Sequence, residues 1–158
     1  MMEKQSSLAS FLVEAKKQTY ASGKSDYAVA PLLTGAKQLE YRQRNYLYRD
    51  LYFGSSYFVG QETVELDGTP LWAMSYAGGM LPENPTHSLT ETVYTFLRQA
   101  LLMIPKAFPY RGPEQFEAAP LQYINHFTGT LELFQGKETV LMDNHAVYAL
   151  GYQGGLLS

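Results

Sequence analysis

The sequence predicts an α+β fold built from two similar antiparallel three-stranded β-meanders, an internal duplication, with two main helices packed on the sheet. Three observations carry it. GQETVELDGTPLWAMSYAGG (60–79) recurs as GKETVLMDNHAVYALGYQGG (136–155) at a constant offset of 76 residues, the signature of a copied unit. From Tyr41 the chain alternates with period two, as a half-buried strand does. Two other stretches carry apolar residues at helical spacing.

Taken in order, Ser6 and Ser7 are N-cap candidates ahead of Leu8, Phe11, Leu12 and Ala15, an i, i+3, i+4, i+7 stripe that predicts a helix over 6–21. Lys24 to Gln38 mixes Gly, Pro and Ser without a period and reads as a loop. The first meander is expected over about 41–79. Tyr46, Tyr48, Asp50 and Tyr52 share one face of its first strand, and Phe58, Gly60, Glu62, Val64 and Leu66 one face of its second. Asp67-Gly68 tolerates positive φ at both turn positions and closes a hairpin onto the strand Leu71 to Tyr76. Ser88-Leu89-Thr90-Glu91 fits a capping box, and Val93, Phe96, Leu97, Ala100, Leu101 and Ile104 form the apolar stripe of a helix over 88–104 that Pro105 ends. Four prolines then predict a stiff loop over 105–120. The second meander follows over about 121–157, with Asp143-Asn144 at the hairpin position. All 158 residues are expected to form a single domain.

Composition narrows the function. A net charge of −3 without a basic block does not support direct nucleic-acid binding, which needs clustered Lys and Arg. The absence of cysteine removes disulfides and thiol chemistry. There is no signal-peptide pattern at the start and no run of membrane-spanning length, so a cytoplasmic location without membrane association is expected. His87, His126 and His145 show no ligand spacing with the acids, so neither a metal nor another cofactor is expected.

The repeat points to a site. Period-two counting places Glu62 and Glu138 at matching positions on apolar faces, where an ionised carboxylate needs a partner or a raised pKa. Each fits a structural anchor for tyrosine hydroxyls, a ligand contact or a general acid or base. Trp72 and Tyr76, matched by Tyr148 and Tyr152, form an aromatic side of the third strands that could floor a pocket or pack on a helix. Pro109 and Pro113 brace Tyr110-Arg111-Gly112, with Gly112 allowing a sharp turn. Arg111 is thus presented either to an anionic ligand or to one of the two glutamates.

Taken together, LASFLVEAKKQTYA, LEYRQRNYLYRDLYFG, FVGQETV, PLWAMSYAGGML, FLRQALLMIP, PYRGP and VYALGYQGGLL resemble a bacterial and archaeal domain family of unknown function. Its members often follow a helix-turn-helix domain in XRE-type transcriptional regulators. The resemblance implies a domain identity and no assigned catalytic residues. Relatives tend to read MNYxGR where this chain has Met74 to Gly79, and the helix-turn-helix itself is not expected here.

The expected function is a small-ligand-binding or sensing module like the effector half of a regulator. Its contacts with an anionic ligand would come from Arg111, Tyr110, Glu62, Glu138, Trp72, Tyr76, Tyr148 and Tyr152. The alternatives are an enzyme with a buried glutamate as acid or base acting on an anionic substrate, and a protein-interaction module, including a homodimer.

Overall fold

The computed structural model describes residues 2–83 and 85–158, with side chains from residue 5 onward. Helix α1 (Met2–Gln18) is followed by one 3₁₀ turn (Tyr20–Ser22), a two-strand edge of β1 (Ala28–Val29) and β2 (Lys37–Gln43), and then β3 (Tyr46–Gly54), β4 (Tyr57–Leu66) and β5 (Thr69–Met80). Helix α2 (His87–Leu102) leads to β6 (Gln115–Ala118), β7 (Leu121–Thr130), β8 (Leu133–Met142) and β9 (His145–Leu156). The chain is thus an α+β protein, mostly antiparallel sheet with two helices.

The strands form one continuous sheet rather than separate three-stranded meanders. Its order is β1-β2-β3-β4-β5-β9-β8-β7-β6, and every neighbouring pair is antiparallel. The sheet is continuous because β5 and β9 pair edge to edge around Tyr76 and Tyr152, so neither presents an unpaired edge to solvent. The registers of the two flanks agree. Glu62 lies opposite Met74 and Glu138 opposite Leu150, and each hairpin has one irregularity, after Val64 in one and after Val140 in the other. Both hairpin turns have positive φ at two residues, Asp67 and Gly68 in the first and Asp143 and Asn144 in the second, as type I′ geometry requires.

Two stretches read as loop contain strands. Lys37 and Gln38 already belong to β2, and β6 lies inside the proline-rich segment. Pairing with β3 and β7 supplies order that local composition conceals. The cap of α2 also differs from the expected box. Thr86 is the N-cap, its hydroxyl accepting from the Leu89 amide at 3.1 Å, one turn-start earlier than Ser88.

Both helices cover the same face of the sheet. The predicted stripes are buried: Leu8, Phe11, Leu12 and Ala15 of α1, and Val93, Phe96, Leu97, Ala100 and Leu101 of α2. They meet Tyr48, Val64, Trp72 and Met74 on one flank and Tyr123, Phe134, Val140 and Leu150 on the other. Burying such side chains contributes roughly 1.5–3 kcal/mol each. The consequence for function is a buried layer that also contains Lys16, Asp50, Glu62, Arg111, Asn125 and Glu138.

Candidate functional site

The buried charges form two clusters at matching rungs. On the second flank Glu138 accepts from Arg111 Nη2 at 2.6 Å and Tyr148 OH at 2.9 Å on one oxygen, and from Tyr123 OH at 2.7 Å on the other. The Tyr123 hydroxyl also accepts from the Gly112 amide, Asn125 Nδ2 donates to the Gly112 carbonyl, and Tyr152 OH donates to Asn125 Oδ1 at 2.8 Å. Gly112 has no left-handed φ. Its need is space, since a Cβ there would lie 2.8 Å from the Tyr123 hydroxyl. Burial opposes the Arg111 charge most strongly, but the Glu138 carboxylate together with Tyr20 and Tyr148 outweighs it and raises the guanidinium pKa well above its usual value.

On the first flank Glu62 has one cationic partner among the described residues, Lys16 of α1, whose Nζ lies 2.7 Å from Oε2 and donates to the Tyr110 carbonyl at 2.5 Å. The Lys16–Glu62 contact is a buried ion pair, and Glu62 Oε1 has no hydrogen-bond partner. Burial lowers the Lys16 pKa, and Glu62 offsets part of that. Tyr48, the ladder counterpart of Tyr123, and Trp72, the counterpart of Tyr148, have no hydrogen-bond partner for hydroxyl or indole N–H. Asp50 stands where the second flank has Asn125. It accepts from Tyr76 OH at 2.5 Å, the counterpart of Tyr152. Burial first, then the neighbouring Glu62 charge, raises the Asp50 pKa to about 7, with Tyr76, Arg111 and Lys16 opposing.

This first cluster borders a cavity of about 290 Å³. Asp50, Tyr52, Phe58 and Tyr76 form its sheet side. Tyr94, Leu97, Arg98 and Leu101 of α2 roof it, and Tyr20, Lys37 and Arg111 complete the wall. Arg111 Nε and the Tyr20 hydroxyl are buried without a hydrogen-bond partner, and the guanidinium lies 5.1 Å from the Tyr20 ring centre. Three cationic side chains thus face one carboxylate. Among the described residues neither Lys37 nor Arg98 has an acidic partner.

Of the residues expected at a site, Arg111 and Tyr76 line this cavity. Glu62, Glu138, Trp72 and Tyr148 are fully buried and do not border it. The structure shows Arg111 both bound to Glu138 and lining the cavity. Tyr110 packs in the core with its ring 3.9 Å from that of Phe134, and Tyr152 is buried beside it, its ring 6.4 Å from that of Tyr110. Asp50 and Lys37 were missed, as were Arg98 and the walls formed by Tyr20, Phe58 and Tyr94. Asp50 alone left a signal, a single acid on the tyrosine face of β3. Among the described residues no cluster of three or more His, Asp or Glu could hold a metal, and no helix is long and apolar enough to cross a membrane.

Fold and site together define an α+β protein in which α2 roofs a charged, aromatic-walled cavity on one flank of an antiparallel sheet. The chain belongs to the family described as Domain of unknown function (DUF5680), whose model matches residues 50–157. No curated protein and no solved structure matches it.

Proposed function

We propose that the protein binds a small anionic ligand in the cavity beneath α2 and acts as a sensing module. The observation that carries this reading is the pair of buried, unpartnered donors, Arg111 Nε and Tyr20 OH, on the wall of a cavity flanked by Lys37 and Arg98. A buried donor without a partner costs about 1–3 kcal/mol, and an acceptor on a ligand recovers that cost. The volume is near the small end of ligand pockets and suits a molecule of amino-acid size. A cytoplasmic location, one domain spanning residues 1–158, descent of the two flanks from a copied unit, and service as the effector half of a helix-turn-helix regulator belong to the same reading.

A thermal-shift screen of small carboxylates and phosphates tests it. A ligand at a hundred times its dissociation constant stabilises the fold by about 2.7 kcal/mol. The expected result is a shift for at least one acid that Lys37→Gln reduces. Uniformly null shifts would overturn the reading.

A second reading, an enzyme, is favoured by Asp50. A cavity carboxyl with a pKa of about 7, bonded to a tyrosine, is poised for acid–base chemistry. In that form Asp50 replaces Glu62 and Glu138 as the acid or base. Turnover abolished by Asp50→Asn, with ligand affinity retained, would separate it from pure sensing.

A further inference from the structure

The second flank shows how this side-chain set holds an aromatic ring. Phe127, Phe134 and Tyr152 form three sides of a box, and the ring of Tyr110 fills it. Tyr110 stacks on Phe134 at 3.9 Å and 10°, edge-on to Phe127 at 5.5 Å, and lies 6.4 Å from Tyr152. The sheet ladders give the matching rungs on the first flank. Tyr52 lies opposite Gly60 as Phe127 lies opposite Gly136, Phe58 opposite Gly78 as Phe134 opposite Gly154, and Tyr76 opposite Gly60 as Tyr152 opposite Gly136. Tyr52, Phe58 and Tyr76 therefore make a second box of the same plan, and all three line the 290 Å³ cavity.

The two boxes differ in what the chain supplies. The Asn125 amide bonds the Glu114 carbonyl, while Asp50 lies opposite Leu39. Counting back from those rungs sets Gly112 at the place of Lys37 and Tyr110 at the place of Gly35. Gly35 is exposed, has no side chain to insert and does not border the cavity. The aromatic neighbours of Phe58, namely Tyr52, Tyr76 and Tyr94, sit edge-on or tilted at 5.9–6.4 Å, and none stacks on it. Phe58 is half-buried, whereas Phe134 is sealed under Tyr110.

We propose that the cavity takes a single aromatic ring carrying a short carboxylate arm, the ring on Phe58 in the manner of Tyr110 on Phe134 and the carboxylate beside Lys37. The arm's direction follows from the second flank. The backbone of Tyr110 leads from its box toward Gly112, whose counterpart is Lys37, an exposed ammonium 5.7 Å from the Tyr52 ring centre. Arg98 stands on the opposite wall from α2, so the acid end has a second cation within the same cavity. Rings stack with an offset and at a fixed spacing that a saturated ring of equal size does not reproduce. This proposal rests on the ligand-binding reading above and names its chemical class.

Titration calorimetry with phenylacetate, 4-hydroxyphenylacetate, cyclohexylacetate and phenylacetamide tests it on the full chain. The aromatic acids should bind at least tenfold tighter than either cyclohexylacetate or phenylacetamide. Phe58→Leu, which keeps an apolar side chain, should bring the aromatic acids down to the cyclohexylacetate level with an unchanged circular-dichroism spectrum. Lys37→Gln, at an exposed position, should weaken the acids and leave phenylacetamide unaffected. Equal binding of cyclohexylacetate, or of the amide, would overturn the proposal. So would null titrations of the aromatic acids in a protein that a non-aromatic acid of the wider screen stabilises, and in that case ligand binding itself stands. If no acid of either set binds, both readings fall together.

Discussion

Glu62 and Glu138 occupy matching rungs of one sheet and keep different company. Glu138 receives a guanidinium and two tyrosine hydroxyls, and its flank closes on Tyr110 and Gly112 from the chain itself. Glu62 receives one ammonium, and the hydroxyl and indole that would complete its shell have no partner. Satisfied polar networks rigidify a core, whereas an unpaired polar group in a low dielectric is costly. The second flank thus has the better-satisfied network, and the unsatisfied groups gather on the first, where the ligand site is proposed.

The largest test of this contrast removes the cations. Lys16→Met keeps the buried stem but leaves Glu62 without its ion-pair partner, and should cost about 3–5 kcal/mol. Arg111→Met should cost less, about 2–3 kcal/mol, because Tyr123 and Tyr148 still donate to Glu138. Urea unfolding at pH 7 measures both. Equal losses would show that the hydroxyls contribute nothing.

Asp50→Asn turns a residue of the first flank into its counterpart on the second. The folded carboxyl has a pKa of about 7 against 3.8 when unperturbed, so the folded chain holds a proton that the unfolded chain releases. That contribution is complete below pH 3.8 and is lost as pH rises through 7. Asp50→Asn, with the amide oxygen still accepting from Tyr76, should therefore leave stability near pH 4 little changed. By pH 8 it should exceed the wild type by up to about 4 kcal/mol. A parallel pH dependence in both proteins would remove Asp50 as the titrating group.

The smallest effect concerns the two tyrosines. Tyr152→Phe deletes a bond to a neutral amide and should cost about 1 kcal/mol at any pH between 5 and 8. Tyr76→Phe deletes one to an ionisable acid. It should cost about 1 kcal/mol at pH 5 and about 1.5–3 at pH 8, where the bond becomes charge-assisted. Equal, pH-independent losses would contradict the asymmetry.

Much of the fold is written locally. Period-two faces placed Glu62, Trp72 and Tyr76 on the covered side, and Asp67-Gly68 marked its turn because only a few residue types accept positive φ there. The edge strands β1 and β6 were hidden because their order comes from the neighbours they pair with. Long-range pairing also decided between Glu62 and Glu138 as the partner of Arg111, which residue spacing left open. The cavity was least legible of all. On its flank no ring of the chain stacks on Phe58, and a side chain that is missing leaves no pattern to count.

The β5–β9 seam carries a further consequence. Trp72 faces Leu156 at one end and Tyr148 faces Met80 at the other, so the seam is a single long boundary shared by both flanks. Parting it would bare two extended backbone rims rich in glycine and alanine, each a template on which another chain could grow. The molecule is thereby discouraged from opening like a book, and loss of either flank means loss of both.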